Sequence, residues 1–498
     1  MRFALLAPLV ALSLALAGCG GGDGGSGSSS GSTSTSTSTA TTTSSSGTSS
    51  ACSLATREAW ALAQLKEWYL FPDLLDTTVD PDAYSTLQDY IDALVAPARA
   101  ESKDRYFTYV TSIAEENAYY ASGETAGIGV RLGFDYTAKA LYVIEAYENA
   151  PAYAAGLDRG TQIVAIGTST ANLQTVSALY ASGGIDAVSD ALGDSTVGTT
   201  RVFQIRQPDS TVSTVSVTKA DFELDPLSSR YGYKIIQSGG ESYGYVNLRT
   251  FVSTANAALA EAFAAFKAQG VTKVIVDLRY NGGGLISVAD TFSNLLNAQR
   301  TGSVMNYVTF RDSKSDNDET SYFSAQDGAI AATRVAFIGT GSTASASELV
   351  MNTQKPYLPN DVALVGANTY GKPVGQIGLD NSDCDDRLRV IALKLENADH
   401  EGDYYSGLAS SYPATCEASD DISYQLGDAN EPSIKAAIGF LSGNSCTAIT
   451  SSLASSATAS VQQGALADSV SVAGAARARE PLEAKSPSFA QRQLPGLF

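Results

Sequence analysis

Between residues 221 and 445, short apolar runs alternate with helical stretches: SYGYVNLRTF, ANAALAEAFAAFKAQG, VTKVIVDLRY, a helix from Leu285, RVAFIG, and DVALVGANTY. Strands separated by helices run parallel, because each helix carries the chain back across the sheet. Parallel strands covered on both faces read as continuous apolar runs, as VIV and VAFI do here. This part of the chain is therefore expected to be an α/β core with a largely buried sheet. With 498 residues there is room for two or three domains. A net charge of −20 argues against nucleic acid as a partner, since the Lys/Arg density needed to neutralise phosphates is missing.

The rest of the chain divides by composition. MRFALLAPLVALSLALAGCG has a basic Arg2, an apolar run too short to span a membrane, and small residues ending at Cys19, the pattern of a secretory signal (1–19). Leu16-Ala17-Gly18-Cys19 resembles a bacterial lipobox, which implies a lipidated Cys19 and a membrane anchor. Gly20 after the cysteine is compatible, by the same resemblance, with an outer-membrane site facing the periplasm. Residues 20–51 are almost wholly Gly, Ser and Thr and read as a flexible linker. Residues 52–122 carry helical periodicity, with Trp60, Leu62, Leu65 and Trp68 at helical spacing, and are expected to form an N-terminal helical domain. Residues 451–498 are small and polar at their start and read as a mobile tail. Apart from Cys19, four cysteines remain: Cys52, Cys384, Cys416 and Cys446. In an exported chain they predict two disulfides, with Cys384–Cys416 and Cys52–Cys446 the favoured pairing.

Residues 123–220 hold short strands: AGIGVRLGF, ALYVIEAY, TQIVAIG, and TRVFQIRQ–STVSTVSVT around a Pro-Asp turn. With NAPAYAAGLDRG between them, and Gly127-Ile128-Gly129-Val130 at the start, this region resembles a PDZ domain. That resemblance implies that the Gly127–Val130 loop offers N–H groups to a peptide's terminal carboxylate, while the adjoining strand pairs with the peptide.

Three segments of the α/β region carry chemistry. In GSTASASELV, Ser345 and Glu348 have capping-box spacing at a helix start that follows the strand RVAFIG. A serine placed there has a helix N-terminus beside it to favour developing negative charge, but it needs a base. The single histidine, His400 in ENADHEGDYY, lies among acidic and polar residues and is a weak candidate. Lys372 in NTYGKPVGQ is the alternative: Pro373 holds its backbone extended, and Gln376 can orient the amine. With an ordinary pKa of about 10.4, the amine must be desolvated to act when neutral. In VIVDLRYNGGG, the glycines after the strand let backbone N–H groups approach a reacting centre, while Asp277 and Arg279 read as fold support.

The segments DLRYNGGG, STASASELV and TYGKPVGQ, in this order behind a PDZ-like region, resemble the C-terminal (tail-specific) processing peptidases of family S41. The resemblance implies a crotonase/ClpP-like serine peptidase core at 221–450 in a multidomain α/β protein. It also implies Ser345 as nucleophile, Lys372 as base, Gln376 as its assistant, and an oxyanion hole of Gly283 and the Ala346 N–H. Protein or peptide substrates held by their C-termini follow from it, as do catalysis without metal or cofactor and room for an activating partner. Pro373 departs from the glycine frequent after the lysine.

Two nucleotide- and metal-binding readings fail on the residues. Gly339–Ala344 fits a dinucleotide fingerprint, yet the next strand, DVALVG, has no acidic residue at its end. DSKSDNDE (312–319) lacks the glycine of a calcium loop. The remaining rival is a non-catalytic, PDZ-bearing lipoprotein that binds peptide termini as an adaptor. It would share every feature except a working serine–lysine pair.

Overall fold

The computed structural model describes residues 50–450, 479–485 and 487–498. Cys19, nearly all of the linker, and residues 451–478 lie outside the described residues. At the centre is a six-stranded sheet in the order Tyr233–Ser238, Glu241–Asn247, Lys273–Asp277, Arg334–Gly339, Val362–Gly366, Thr415–Glu417. The first two strands form an antiparallel hairpin, and from Glu241–Asn247 onward all neighbours are parallel.

Strand periodicity explains the layering. Val274, Val276, Val335, Phe337, Val362 and Leu364 face one side, against helices Ala255–Ala268, Ile286–Leu296 and Ala346–Gln354. Ile275, Ala336, Ile338, Ala363 and Val365 alternate to the other side, under helix Pro432–Leu441. Both faces are covered, which is why these strands contain almost no polar residue.

A second sheet is built on the long strand Asp386–Asn397, which pairs antiparallel with Val374–Asn381, Val304–Phe310 and Tyr109–Ser112. The N-terminal segment is helical, as its periodicity predicts, but it does not form a core of its own. Leu65, Tyr69, Leu87 and Ile91 share one apolar cluster with Val374, Leu388, Val390 and Ile391. Residues 109–112 are a strand of the second sheet, and they lie beside the catalytic candidates.

The β region contains an antiparallel sheet in the order Glu480–Pro481, Val130–Asp135, Ala140–Ala146, Gln162–Gly167, Thr200–Arg206, Val212–Thr218, with Gln174–Thr175 also on Gln162–Gly167. Helix Val176–Leu192 packs on it through Val176, Leu179, Val188 and Leu192. Buried arginines tie this unit to the α/β core. Arg131, paired with Glu145 at 3.0 Å, donates to the carbonyls of Tyr280 and Arg249. Arg159 reaches Asp420.

Two sequence expectations are corrected. The disulfides are Cys52–Cys384 and Cys416–Cys446, not Cys384–Cys416 and Cys52–Cys446. Helix Leu54–Trp68 lies on strand Asp386–Asn397, where Arg57 pairs with Asp386, and this brings Cys52 to the turn holding Cys384. Cys446 follows the helix that covers strand Thr415–Glu417, so its nearest cysteine is Cys416. The C-terminal residues are not a free tail either. Residues 479–498 pack against the β unit and the core, because Leu482, Phe489, Leu494, Leu497 and Phe498 supply an apolar face that the polar residues before them lack.

Candidate active site

The three chemical segments arrive together because they follow three adjacent parallel strands. The glycine turn 281–284 comes after Lys273–Asp277, Ser345 after Arg334–Gly339, and Lys372 after Val362–Gly366. Crossover helices return every strand in the same sense, so the loops at their carboxyl ends meet at one edge.

Ser345 is half-buried at the N-cap of helix Ala346–Gln354, with φ 56° and ψ −116°. A non-glycine residue in this region is strained by about 1–3 kcal/mol and is held only by its surroundings. Those surroundings are specific. Ala344 N–H and the Ser347 hydroxyl both donate to the Asn281 carbonyl at 3.0 Å, while Asn281 Nδ2 donates to Leu248 O at 2.8 Å. The Ser345 loop is thus bolted to the glycine turn. Gly283, with φ 108°, lies directly against it: a Cβ there would sit 2.8 Å from Ser345 Cβ and 2.9 Å from Ala346 N. Only glycine permits this approach. In this state the Gly283 N–H donates to Asn281 Oδ1 at 2.9 Å.

Glu348 joins the Ser345 backbone to that of Lys372. Its fully buried carboxylate accepts the N–H groups of Ser345 (3.0 Å), Gly371 (2.7 Å) and Lys372 (2.8 Å). Burial pushes its pKa up, and the three N–H groups pull the other way. The sequence identified Glu348 only as half of a capping box. Its second role was hidden because Gly371 and Lys372 stand 23 and 24 residues downstream.

Lys372 donates from Nζ to Gln376 Oε1 at 2.7 Å and lies 5.0 Å from the centre of the Phe107 ring. Among the described contacts, the amine's hydrogen-bond partner is Gln376 rather than the Ser345 hydroxyl. Gln376 in turn donates to the Phe107 carbonyl. Burial, with Arg389 repelling in the same sense, pushes the lysine pKa down to about 8. The turn before it is fixed by Arg105, whose Nη2 donates to the carbonyls of Tyr370 (2.5 Å), Gly371 (2.7 Å) and Tyr405 (3.1 Å). At Gly371, φ 92°, a Cβ would strike Gly407 N and Tyr405 O at 2.5 Å. Arg105, Phe107 and Tyr109 escaped the sequence reading, since no local signal marks a residue of the N-terminal segment as a wall of the site.

His400 is exposed at the end of strand Asp386–Asn397, stacked on Tyr307 with ring centres 4.1 Å apart. Among the described contacts it makes no hydrogen bond to Ser345. Asp277 and Arg279 form a buried pair at 2.7 Å, and Tyr245 donates to Asp277. No group of three or more His, Cys, Asp or Glu spaced to hold a metal occurs among the described residues. The fingerprint glycine Gly339 packs on Leu364 and Thr369. Gly127, Ile128, Gly129 and Val130 are buried, and all but the first donate their N–H to the carbonyl oxygen of Phe498, at 3.1, 2.8 and 3.3 Å.

The arrangement can activate a serine hydroxyl by a depressed lysine at a helix N-terminus, which suits acyl transfer. Residues 242–400 match the profile of peptidase family S41. The carboxyl-terminal-processing protease of a Picosynechococcus species is 27% identical over 253 residues, covering 50% of this chain and 55% of that one. The chloroplastic C-terminal processing peptidase of Tetradesmus obliquus is 29% identical over 272 residues, covering 53% and 54%. The chain therefore spans about half the length of the curated relatives it matches. A crystal structure assigned to an S41 protease from Bacteroides fragilis shares the fold, with a TM-score of 0.58 at 22% identity over 77% of this chain and 97% of that one. The matched region contains the glycine turn, Ser345, Lys372 and Gln376 in the order their strands impose: residues 242–400 match peptidase family S41, and the chain is similar to carboxyl-terminal-processing proteases.

Proposed function

We propose that this chain is a serine endopeptidase that cuts unfolded or tail-exposed proteins with a Ser345–Lys372 dyad. The observation that carries the reading is the buried Glu348 carboxylate, which binds the backbone of nucleophile and base at once. Lys372, brought down to about 8, takes the Ser345 proton. The serine oxygen attacks the scissile carbonyl. Ala346 N–H at the helix start, with Gly283 N–H once it leaves Asn281, receives the oxyanion. The protonated lysine then passes its proton to the leaving amine, and water, activated by the same amine, releases the acyl group. Gln376 keeps the amine directed.

The β unit at 123–220 acts as a PDZ-like domain whose Gly127–Val130 loop and adjoining strand take a substrate's C-terminal end by β-addition. The chain is anchored by lipid at Cys19 in a bacterial envelope and faces the periplasm. No helix among the described residues is long and apolar enough to cross a membrane.

The test compares the chain from residue 50 onward with its Ser345→Ala and Lys372→Ala variants, on a reduced, unfolded protein with an apolar C-terminus. Cleavage that disappears in both folded variants supports the dyad. Cleavage that survives Lys372→Ala at a similar rate removes the lysine from its role. Binding of the terminus with no cleavage by the parent selects the adaptor reading.

A further inference from the structure

The β unit's peptide groove is already filled by the chain itself. Two pieces of the C-terminal segment extend the edge of strand Val130–Asp135, both antiparallel to it. Glu480 and Pro481 pair with Phe134 and Gly133, and Leu482 N–H donates to the Leu132 carbonyl at 2.9 Å. Farther along, Leu132 N–H donates to Gly496 O at 2.7 Å, Leu497 bridges Arg131, and Phe498 N–H donates to Val130 O at 2.9 Å. The Phe498 oxygen then receives the three N–H groups of Ile128, Gly129 and Val130, while its ring joins the apolar cluster of Ile128, Val130 and Leu132. This is how an extended peptide with an apolar last residue is held by β-addition.

Between the two paired pieces, the segment leaves the groove and reaches the catalytic edge. Helix Phe489–Gln493 packs through Phe489 and Ala490 on Tyr109, Tyr119 and Val252. Gln493 donates to the Tyr109 hydroxyl at 3.4 Å, and Arg492 lies over the Tyr109 ring. The Gln493 carbonyl presses on the glycine turn so closely that a Cβ on Gly282 would lie 2.4 Å from it. With the segment seated there, Gly283 N–H stays on Asn281. The side chains that hold it, Leu482, Phe489, Leu494, Leu497 and Phe498, are at most 3% exposed, so seating is tight.

We propose that residues 479–498 are an intramolecular occupant of the peptide groove, which a substrate's apolar C-terminal end must displace, and that the seated segment keeps the peptidase latent by covering the glycine turn. This rests on the peptidase reading above. An occupant on the same chain competes at an effective concentration of about a millimolar, so a segment with micromolar intrinsic affinity for the groove weakens the binding of a free peptide roughly a thousandfold. Catalysis is then reserved for substrates that present a C-terminal end at high local concentration or bind elsewhere as well.

The experiment uses the full chain, a chain lacking residues 479–498, and a full-length Leu497→Asp/Phe498→Asp variant, each also carrying Ser345→Ala for binding. Cleavage of the unfolded protein is expected to rise at least tenfold in kcat/KM when the segment is deleted or its last two side chains are made acidic. The synthetic peptide PSFAQRQLPGLF (residues 487–498), added at millimolar concentration, should reverse the gain. By calorimetry the same peptide should bind the Ser345→Ala chain lacking 479–498 and fail to bind the Ser345→Ala full chain. Unchanged or lower activity in folded variants, or equal peptide binding by both Ser345→Ala chains, overturns the proposal. If deletion prevents folding, the double-aspartate variant is read by the same criteria. The two readings separate: a binding difference with no cleavage by any chain keeps the occupant and removes the peptidase. Cleavage without a binding difference does the reverse.

Discussion

The turn Gly127–Val130 gives three N–H groups to the oxygen of Phe498, whereas the turn Asn281–Gly284 keeps the Gly283 N–H on the side chain of its own Asn281. Both are glycine-rich, and both lie next to a strand of a well-packed sheet. The first sits at the edge of strand Val130–Asp135, where residues 480–482 and 496–498 continue the ladder and place the Phe498 oxygen in the loop. The second sits at the carboxyl edge of a parallel sheet, where a strained serine and a helix N-terminus converge on it. An edge site recruits by generic backbone pairing. An oxyanion site works only when particular side chains are brought within an ångström or so of the reacting atoms.

The largest expected effect breaks the second turn alone. Gly283→Ala drives a methyl into Ser345 and Ala346 and should lower kcat by about 10²–10³-fold, with KM within a few-fold. The peptide 487–498 should still bind a segment-deleted chain as tightly as before. A raised KM with unchanged kcat would mean that the two turns share one task.

Next comes the carboxylate that spans Ser345 and Lys372. Glu348→Gln should cost about tenfold to a hundredfold in kcat, through misplacement of Ser345 and Lys372, while leaving peptide binding alone. Steady-state kinetics beside calorimetry on the Ser345→Ala background separates the two effects.

The pH dependence sharpens the contrast further. In the proposed dyad Lys372 acts when neutral, and burial brings its pKa down to about 8, so kcat/KM should fall about tenfold per unit as pH drops below 8 and level off above it. Arg389 pushes the lysine down, so Arg389→Gln should move that midpoint upward. Peptide binding through backbone N–H groups should show no transition there, and a shared transition near 8 would tie the groove to the lysine.

The smallest expected effect on catalysis comes from opening the Cys416–Cys446 bridge, which touches neither turn. The double variant Cys416→Ala/Cys446→Ala should be less stable than the parent by about 3.5 kcal/mol for a bridge of sequence separation 30, read by urea melting, and should change kcat less than twofold.

Much of the core was legible because its signals are local. The runs KVIVD, RVAFIG and VALVG are uninterrupted and apolar, and the structure covers them on both faces. Ser345, Lys372, Gln376 and Gly283 stood out for the same reason, each next to a strand end and each of a residue type its chemistry needs. The walls were not legible. Arg105 fixes a turn that lies 265 residues away in sequence, and Phe107 holds Gln376 across 269. The pairing of the cysteines failed on the same ground: four cysteines fix a number of bridges, while which two meet depends on where helices Leu54–Trp68 and Pro432–Leu441 dock. The C-terminal segment misled for a compositional reason. Its first thirty residues or so are small and polar, and the apolar Leu482, Phe489, Leu494, Leu497 and Phe498 are spaced without helix or strand period.

The sequence by itself determined a buried parallel sheet and the identity of a serine, a lysine, a glutamine and two glycine turns, because apolar runs, special backbone angles and reactive side chains act over a few residues. Only the tertiary structure decided that Glu348 grips the backbone of Ser345 and Lys372 together, that Arg105 fixes the turn before Lys372, and that the C-terminal segment pairs with strand Val130–Asp135 and sets Gln493 on the glycine turn. Those are contacts between segments far apart in the chain, and their positions follow from how whole layers bury their apolar faces, which no short stretch of residues specifies.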